Sequence, residues 1–471
     1  MFDWITKTAL QNRMLTVALY VVVLVVGVLV LRTIHLDVFP EFAPPLVVIQ
    51  TEAPGLAAED VERLITFPME TAVNGTPAVE SIRSKSSAGL STLVIAFEWG
   101  TDIYRARQLV NERLQSIRAN LPPGTHEPAM LPVTSAVSWL VKYALVSSRV
   151  SPLDLRTISD WDIGRRLLSV PGVASVVSIG GGAKQYQVLL SSDRLWQYGV
   201  SVKEVAEAVR KANVNVPGGF LVGAGQERAV TGVGRIGSLE DLRRTVVTER
   251  KGAPIVLGDV SEVRLGPEFP RGDATYMGKP AVIGTVSKLY GADTLTVTYH
   301  VEQVLREVKA SLPPGVDLHM EVFRQATFIE SAITNLRRAL LEGGVIVAVI
   351  VVFFLFNVRA SIITLIAMPI SLVLGVLALK LYGVGINSMT LGGLAIAIGA
   401  VVDDAIIDVE NILRRLRENR ARTLPVPALR VVFHASREIR ASIVYATVII
   451  LIVFVPIFLL GGVEGRIFSP L

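Results

Sequence analysis

Five charged or amide side chains, Asp403, Asp404, Asp408, Glu410 and Asn411, stand in one short apolar segment, Ala400-Val401-Val402-Asp403-Asp404-Ala405-Ile406-Ile407-Asp408-Val409-Glu410-Asn411. The run before it, Met389 to Ala400, is almost wholly apolar and glycine-rich, and Arg414-Arg415 closes it downstream. At about 1.5 Å per helical residue, Met389 to Leu413 is long enough to cross a hydrocarbon core of roughly 30 Å. Asp403 and Asp404 then lie near the midplane, where each ionised carboxylate costs about 2.5–3.5 kcal/mol on insertion scales. The chemistry open to such groups is reversible protonation, and intramembrane acids mark proton or ion pathways. The segment points to transport.

Seven positions separate Asp403 from Glu410, so a helix puts them on one stripe. Asp404, Asp408 and Asn411 form a second stripe about 100° away. Neither stripe suits lipid, which predicts a helix packed inside a bundle. A soluble helix with paired carboxylates would carry the same residues, but four further apolar runs surround this one. Asp408 and Glu410, nearer the arginines, also admit a plainer role: reaching the interface or pairing with Arg414 and Arg415.

The elements that must position these acids follow from the hydropathy pattern. Mean hydropathy is +0.52 and half of the 471 residues are apolar, the composition of a membrane protein. Five runs qualify as spans: roughly Met14–Leu31, Ala339–Phe356, Ser361–Leu381, Met389–Leu413 and Ser442–Leu460. Between the first two lies a polar stretch of about 300 residues, room for two or more soluble domains. Lys7 and Arg13 precede the first span like the n-region of a signal peptide, but no Ala-x-Ala-like site follows, so a retained anchor is expected.

The segment after the fourth span carries eight arginines against Glu418 and Glu438, a net +6, while the whole chain is +5. The basic balance is therefore a positive-inside signal rather than a nucleic-acid footprint. It places the N-terminus inside and the 300-residue region outside, which in a double-membraned bacterium is the periplasm. No cysteine is present, which fits an oxidising compartment and excludes a thiolate metal site in this chain. No phosphate-cradling Walker sequence appears either. Ile179-Gly-Gly-Gly-Ala-Lys184 lacks the spacing and reads as a turn.

The outer region repeats itself. Trp99-Gly-Thr-Asp102 follows an apolar strand and precedes a helical stretch ending in Leu121-Pro-Pro-Gly124; Tyr290-Gly-Ala-Asp293 and Leu312-Pro-Pro-Gly315 do the same 191 positions on. A shorter match, Gly75-Thr-Pro-Ala-Val79 against Ser169-Val-Pro-Gly-Val173, is offset by only 94, so the second copy carries an insertion of about 97 residues. Each copy reads strand, helix, strand, strand, helix, strand, the split βαβ arrangement of ferredoxin-like domains. The insertion, rich in glycine and short strands, is expected to form a separate lobe.

In its ordered motifs the chain resembles the N-terminal half of a resistance–nodulation–division (RND) efflux pump of the CzcA/CusA-type heavy-metal branch. The motifs are Leu36-Asp-Val-Phe-Pro40, Thr51-Glu-Ala-Pro-Gly55, Phe67-Pro-Met-Glu70, Gly100-Thr-Asp-Ile-Tyr-Arg-Ala-Arg-Gln108, Asn387-Ser-Met-Thr-Leu-Gly-Gly393, Val402-Asp-Asp-Ala405 with Val409-Glu-Asn411, and Phe454-Val-Pro-Ile457. The resemblance implies an α-helical transmembrane bundle with an α+β periplasmic region of two ferredoxin-like porter subdomains and an inserted docking lobe. Residues 1–32 would be a cytoplasmic N-terminal helix and first span, 33–135 the first porter subdomain, 136–179 with 277–335 the second, 180–276 the docking lobe, and 336–471 the second to fifth spans.

It further implies a proton antiporter rather than an enzyme, in the bacterial inner membrane, with no cofactor, protons as coupling ion and a metal cation as cargo. A homotrimer, a periplasmic adaptor protein and an outer-membrane channel are the implied partners. Asp403 matches the relay aspartate of the branch, Glu410 its second fourth-span acid, and Met389 a methionine on the copper-type metal path; Asp404 and Asp408 complete the expected relay. Copper-type pumps have methionine at Val401 and alanine at Asp404, and cobalt–zinc–cadmium pumps carry Asp-Phe-Gly where this chain reads Ala397-Ile-Gly399. The Asp403-Asp404 pair itself resembles the multidrug branch, which keeps export of organic compounds as an alternative. A membrane-anchored periplasmic scaffold is a second alternative, disfavoured by the cost of the midplane acids. By the same resemblance, a further half with its own span lysine is expected beyond Leu471.

The remaining chemistry-bearing residues read as structural. His35, His126, His300, His319 and His434 show no ligand spacing, and His319-Met320-Glu321 lies on an expected strand whose alternate residues face opposite ways. Glu342 falls in the outer turn of the second span, Lys380 at the outer end of the third is expected to snorkel, and Pro456 to kink the fifth.

Overall fold

The computed structural model describes residues 2–31, 37, 44–223, 225–250, 252–269, 272–355 and 357–471. His35, Phe356 and all of the Leu36-to-Pro40 motif except Asp37 lie outside them. The chain opens with α1 (Phe2–Gln11) and α2 (Arg13–Leu31). Val21, Val25 and Leu29 are exposed on α2, the surface a lipid-facing helix presents.

Next come β1 (Leu46–Glu52), α3 (Ala58–Val61), α4 (Phe67–Val73), β2 (Val79–Ser87), β3 (Leu90–Phe97), α5 (Ile103–Ile117) and β4 (Ala129–Met130). The four strands form one sheet in the order β2-β3-β1-β4, with Ile49 opposite both Leu93 and Met130. Strict alternation explains its single buried face: Val47, Ile49, Leu93, Ile95 and Phe97 are fully buried, and their neighbours along each strand are not. Met69, Val110 and Leu114 from the helices close the core over that face.

A second four-stranded sheet begins with β5 (Thr134–Ser147), α6 (Pro152–Thr157), α7 (Gly164–Leu168) and β6 (Val173–Ile179). The chain then leaves it for β7 (Lys184–Leu190), α8 (Ser192–Tyr198), α9 (Val202–Ala212), β8 (Val216–Gly223), β9 (Gln226–Gly232), α10 (Leu239–Arg243), β10 (Val246–Arg250), β11 (Ala253–Val256), α11 (Leu257–Val260) and β12 (Ser261–Pro267). These pack on a core of their own, which includes Leu195, Val205, Leu242, Leu257 and Val263. A hairpin of β13 (Thr275–Tyr276) and β14 (Lys279–Pro280) leads back to β15 (Val282–Leu289), α12 (Thr294–Ser311) and β16 (Val316–Arg324). The second sheet runs β16-β5-β15-β6, all antiparallel. β5 starts at Thr134, just ahead of the boundary expected after residue 135.

The repeated motifs have a local physical cause. Gly100 and Gly291 take φ of +87° and +76°, which an L side chain resists. Asp102 and Asp293 then cap α5 and α12, accepting from Tyr104 N at 2.8 Å and Thr296 N at 2.7 Å respectively.

The rest is helical: α13 (Ala326–Leu355), α14 (Val358–Leu381), α15 (Ser388–Arg420), α16 (Ala428–Phe458) and the short α17 (Gly462–Phe468). α2, α14, α15 and α16 are long and apolar enough to cross a membrane. The expected second span lies in α13, whose apolar stretch is the shorter Leu341–Phe353. α13 begins at Ala326, ten residues before the expected boundary, so one helix runs from the second sheet into the bundle. Pro456 stands in the last turn of α16, so only two helical residues follow it and no mid-span kink is required.

Candidate functional site

α15 is built to start abruptly and run long. Asn387 Oδ1 accepts from Met389 N at 2.9 Å and Thr390 N at 3.0 Å, and Thr390 Oγ1 accepts from Asn387 N at 2.8 Å. This reciprocal cap satisfies donors that a helix start leaves orphaned. The helix extends to Arg420, seven residues beyond the expected end, making 33 residues with Asp403 and Asp404 at its centre. They sit roughly 22 Å along the axis from Ser388 at the ordinary helical rise.

The two stripes differ in surroundings. Asn411 is buried and donates its amide to the Ala435 carbonyl of α16 at 2.9 Å. Asp404 and Asp408 on the same stripe are half-buried, and Asp408 Oδ1 is buried with no hydrogen-bond partner among the described residues. Asp403 and Glu410, on the other stripe, are exposed. The expectation that neither stripe would be uncovered is therefore met only by the second. The reason is packing: Ile406, Val409 and Leu413 turn toward α13 and α14 and Asn411 toward α16, and the stripe of Asp403 and Glu410 between those two faces stays open among the described helices.

Asp403 and Asp404 both line a cavity of about 580 Å³ between α15, α16 and the end of α17, walled by Ala400, Ile450, Phe454 and Phe468. Its lining is otherwise almost entirely apolar.

The arginines at the far end of α15 are engaged elsewhere than with Asp408 and Glu410. Arg414 donates to Asn411 Oδ1 at 2.7 Å, and Arg415 pairs with Glu418 at 2.9 Å and with Glu438 of α16. Arg440 of α16 pairs with Asp3 and donates to Thr6 at 2.9 Å, which fastens α1 to the arginine-rich end of the bundle. Sequence reasoning missed these contacts. The Asn387-x-x-Thr390 spacing ahead of an apolar run was a visible cap signal, whereas nothing local marks the pairing of Asp3 with Arg440.

Met389 is half-buried in the first turn of α15, at the opposite end from the arginines. Among the described residues no group of three or more His, Asp or Glu side chains is placed to hold a metal ion. Met320 packs against the core of the second sheet while His319 and Glu321 are exposed, so that strand presents no joint site. Glu342 is exposed on α13, and Lys380 is exposed in the last turn of α14.

Known proteins match the chain along its length. The cation efflux system protein CzcA of Alcaligenes sp. (strain CT14) is 35% identical across all of this chain and 45% of its own length. The cation efflux system protein CusA of Escherichia coli (strain K12) is 34% identical over all of this chain and 46% of its own. A solved structure described as an X-ray crystal structure of a heavy metal efflux pump, crystal form II, superposes with a TM-score of 0.88 at 27% identity, covering 99% of this chain and 45% of that one. The chain thus spans about half the length of the curated relatives it matches. With long apolar helices around a central acidic pair, two four-stranded α/β sheets, and a match of residues 5–471 to the family model described as AcrB/AcrD/AcrF, the chain belongs to the AcrB/AcrD/AcrF family.

Proposed function

We propose that this chain is part of a proton-driven efflux pump for heavy-metal cations in a bacterial inner membrane, a secondary active transporter rather than an enzyme. The observation that carries the reading is the Asp403-Asp404 pair at the centre of α15, facing an apolar cavity. Asp403 is the principal relay carboxylate, Asp404 its partner, and Asp408 and Glu410 the continuation toward the arginine-rich end. The printed names of the relatives support metal cations as cargo, with Met389 on the cargo path. The exposed stripe of Asp403 and Glu410 is the face that a further part of the pump covers, supplying a basic partner for the acids.

The topology proposed has the N-terminus in the cytoplasm and both sheets in the periplasm. The contact of α1 with the arginine-rich end of α16 supports it, since the positive-inside rule puts that end in the cytoplasm. The two sheets, with order 4-1-3-2 when their strands are numbered within each unit, are the ferredoxin-like porter subdomains. The inserted lobe is the docking element for a homotrimer, an adaptor and an outer-membrane channel. Its hairpin β8–β9 supports this, because Phe220, Leu221 and Val222 are exposed on it.

The test is Asp403→Asn in the full-length protein. The amide keeps the shape but carries no exchangeable charge, so export should be abolished while membrane insertion and assembly persist. Metal tolerance equal to the parent in a strain that depends on the variant would remove the relay assignment.

A further inference from the structure

Asp37 joins three parts of the chain that are distant in sequence. Its Oδ2 accepts from Lys288 Nζ at 2.8 Å and from Thr294 Oγ1 at 3.1 Å, and Lys288 Nζ also donates to Thr294 Oγ1 at 2.7 Å. Its own N–H donates to the Ile386 carbonyl at 3.0 Å, one residue ahead of Asn387, the cap of α15. Lys288 belongs to β15, and Thr294 is the first residue of α12.

The burial is one-sided. The Lys288 side chain is 5% exposed and that of Asp37 34%, while Thr294 is fully buried. A lysine is almost never buried this far unless it is paired. An apolar side chain of the same length would hold the sheet together at least as well, because a buried ion pair roughly balances its desolvation cost. What the charged trio adds over an apolar contact is direction: three hydrogen bonds of fixed geometry lock one backbone to another.

We propose that Asp37 is a positioning residue that straps the outer end of α15 to β15 and α12, so that a displacement at one end is passed to the other. The strap goes beyond the relay reading but rests on it for its purpose, since Asp403 lies on the same helix. On that reading, protonation at the centre of α15 must move the periplasmic sheets, and the strap is a physical connection between the two. The connection is made of contiguous rigid parts: a capped helix start, one backbone hydrogen bond, one ion pair, and a second helix start.

The test is hydrogen exchange on the full-length protein in lipid nanodiscs, read at the amides of residues 387–391 and 294–298. Lys288→Met removes both hydrogen bonds of Lys288, to Asp37 and to Thr294, and keeps the one from Thr294 to Asp37. Exchange at 387–391 should nevertheless rise about 5-fold or more, the lower end of ordinary site-to-site coupling. Asp37→Asn, which keeps the bond to Ile386 and the side-chain shape, guards against a folding failure of the first variant and should loosen both segments. A rise confined to the neighbourhood of residue 288, with 387–391 as in the parent, overturns the proposal. So does loosening of only one segment in Asp37→Asn. The exchange measurement requires no transport, so failure of the strap is separate from failure of the relay, which Asp403→Asn reads through export.

Discussion

Arg324 grips Glu330 with both terminal nitrogens, Nη1 to Oε2 at 2.7 Å and Nη2 to Oε1 at 3.0 Å, while its Nε donates to Glu302. Tyr299 completes the cluster by donating to Glu330 Oε1 at 2.9 Å. The last residue of β16 is thereby fastened to both α12 and α13, the helix that continues into the bundle. Only a planar guanidinium makes this fork, so Arg324→Lys is not conservative here. With Arg324 24% exposed, Glu302 16% and Glu330 39%, solvent screens the Glu330 arm and the loss should be about 1–2 kcal/mol. Thermal unfolding of the solubilised protein should show a midpoint a few degrees lower; a midpoint equal to the parent's would mean the fork contributes nothing to holding α13.

Gly284 lies opposite Tyr143 in the pairing of β15 with β5, and a Cβ added there would sit 2.0 Å from Tyr143 Cζ. The ring is fully buried and cannot swing away, its hydroxyl being 3.0 Å from Ser159 Oγ. Gly284→Ala should destabilise the second sheet by about 1–3 kcal/mol through overpacking. Adding Tyr143→Leu should recover part of that loss, a coupling that a double-mutant cycle in denaturant would measure. Additive losses would place the strain elsewhere.

Burial pushes the Tyr143 hydroxyl up to about 12. Because the folded value exceeds the unfolded one of about 10, the unfolded chain gives up its proton first as pH rises. The contribution to stability is whole below about pH 10 and is lost between there and about pH 12, on the order of 2–3 kcal/mol for a shift of this size. Tyr143→Phe should cost about 1 kcal/mol at neutral pH, from the hydrogen bond lost to Ser159. It should also flatten the alkaline fall. Denaturant midpoints taken from pH 7 to 11 decide this, and parallel falls in parent and variant would exonerate the tyrosine.

What the sequence disclosed divides by range. Strand β3 was legible because one buried face forces alternation, and the Gly-Asp motifs because a positive φ and a helix cap each demand particular residue types locally. The central acids of α15 were legible because an apolar run makes any carboxylate conspicuous. The start of α13 was not: Ala326 to Arg338 is polar and carries Glu330, Arg337 and Arg338, which conceals its continuity with the apolar stretch beyond. Lys288 and Asp37 are 251 positions apart, and Arg440 and Asp3 are 437 apart, so no local period marks either contact. The exposure of Asp403 beside the half-burial of Asp404 depends on which helices pack against α15, and one helix's own pattern does not encode its neighbours.

The inserted lobe should be removable without loss of the second sheet. Ile179 at the end of β6 pairs with Ile283 near the start of β15, and a Cβ on Gly180 would come within 2.4 Å of the Ala281 carbonyl, so the chain leaves and re-enters the sheet at one point. The core of the second sheet draws no residue from between Val176 and Val282, and the core of the lobe none from outside Val188 to Val263. Replacing residues 181–281 by a two-residue Asn-Gly turn keeps the Ile179–Ile283 register and therefore converts β6 and β15 into an ordinary hairpin. The contacts given up are the ion pair of Lys184 with Asp154 at 2.7 Å, partly exposed and worth about 1 kcal/mol at most, and the ring contact of Tyr276 with His319 of β16. The shortened protein is expected to keep its circular-dichroism spectrum and to lose association with itself and with an adaptor. Unfolding of the second sheet would show that the lobe supports it, and full assembly without the lobe would remove its docking role.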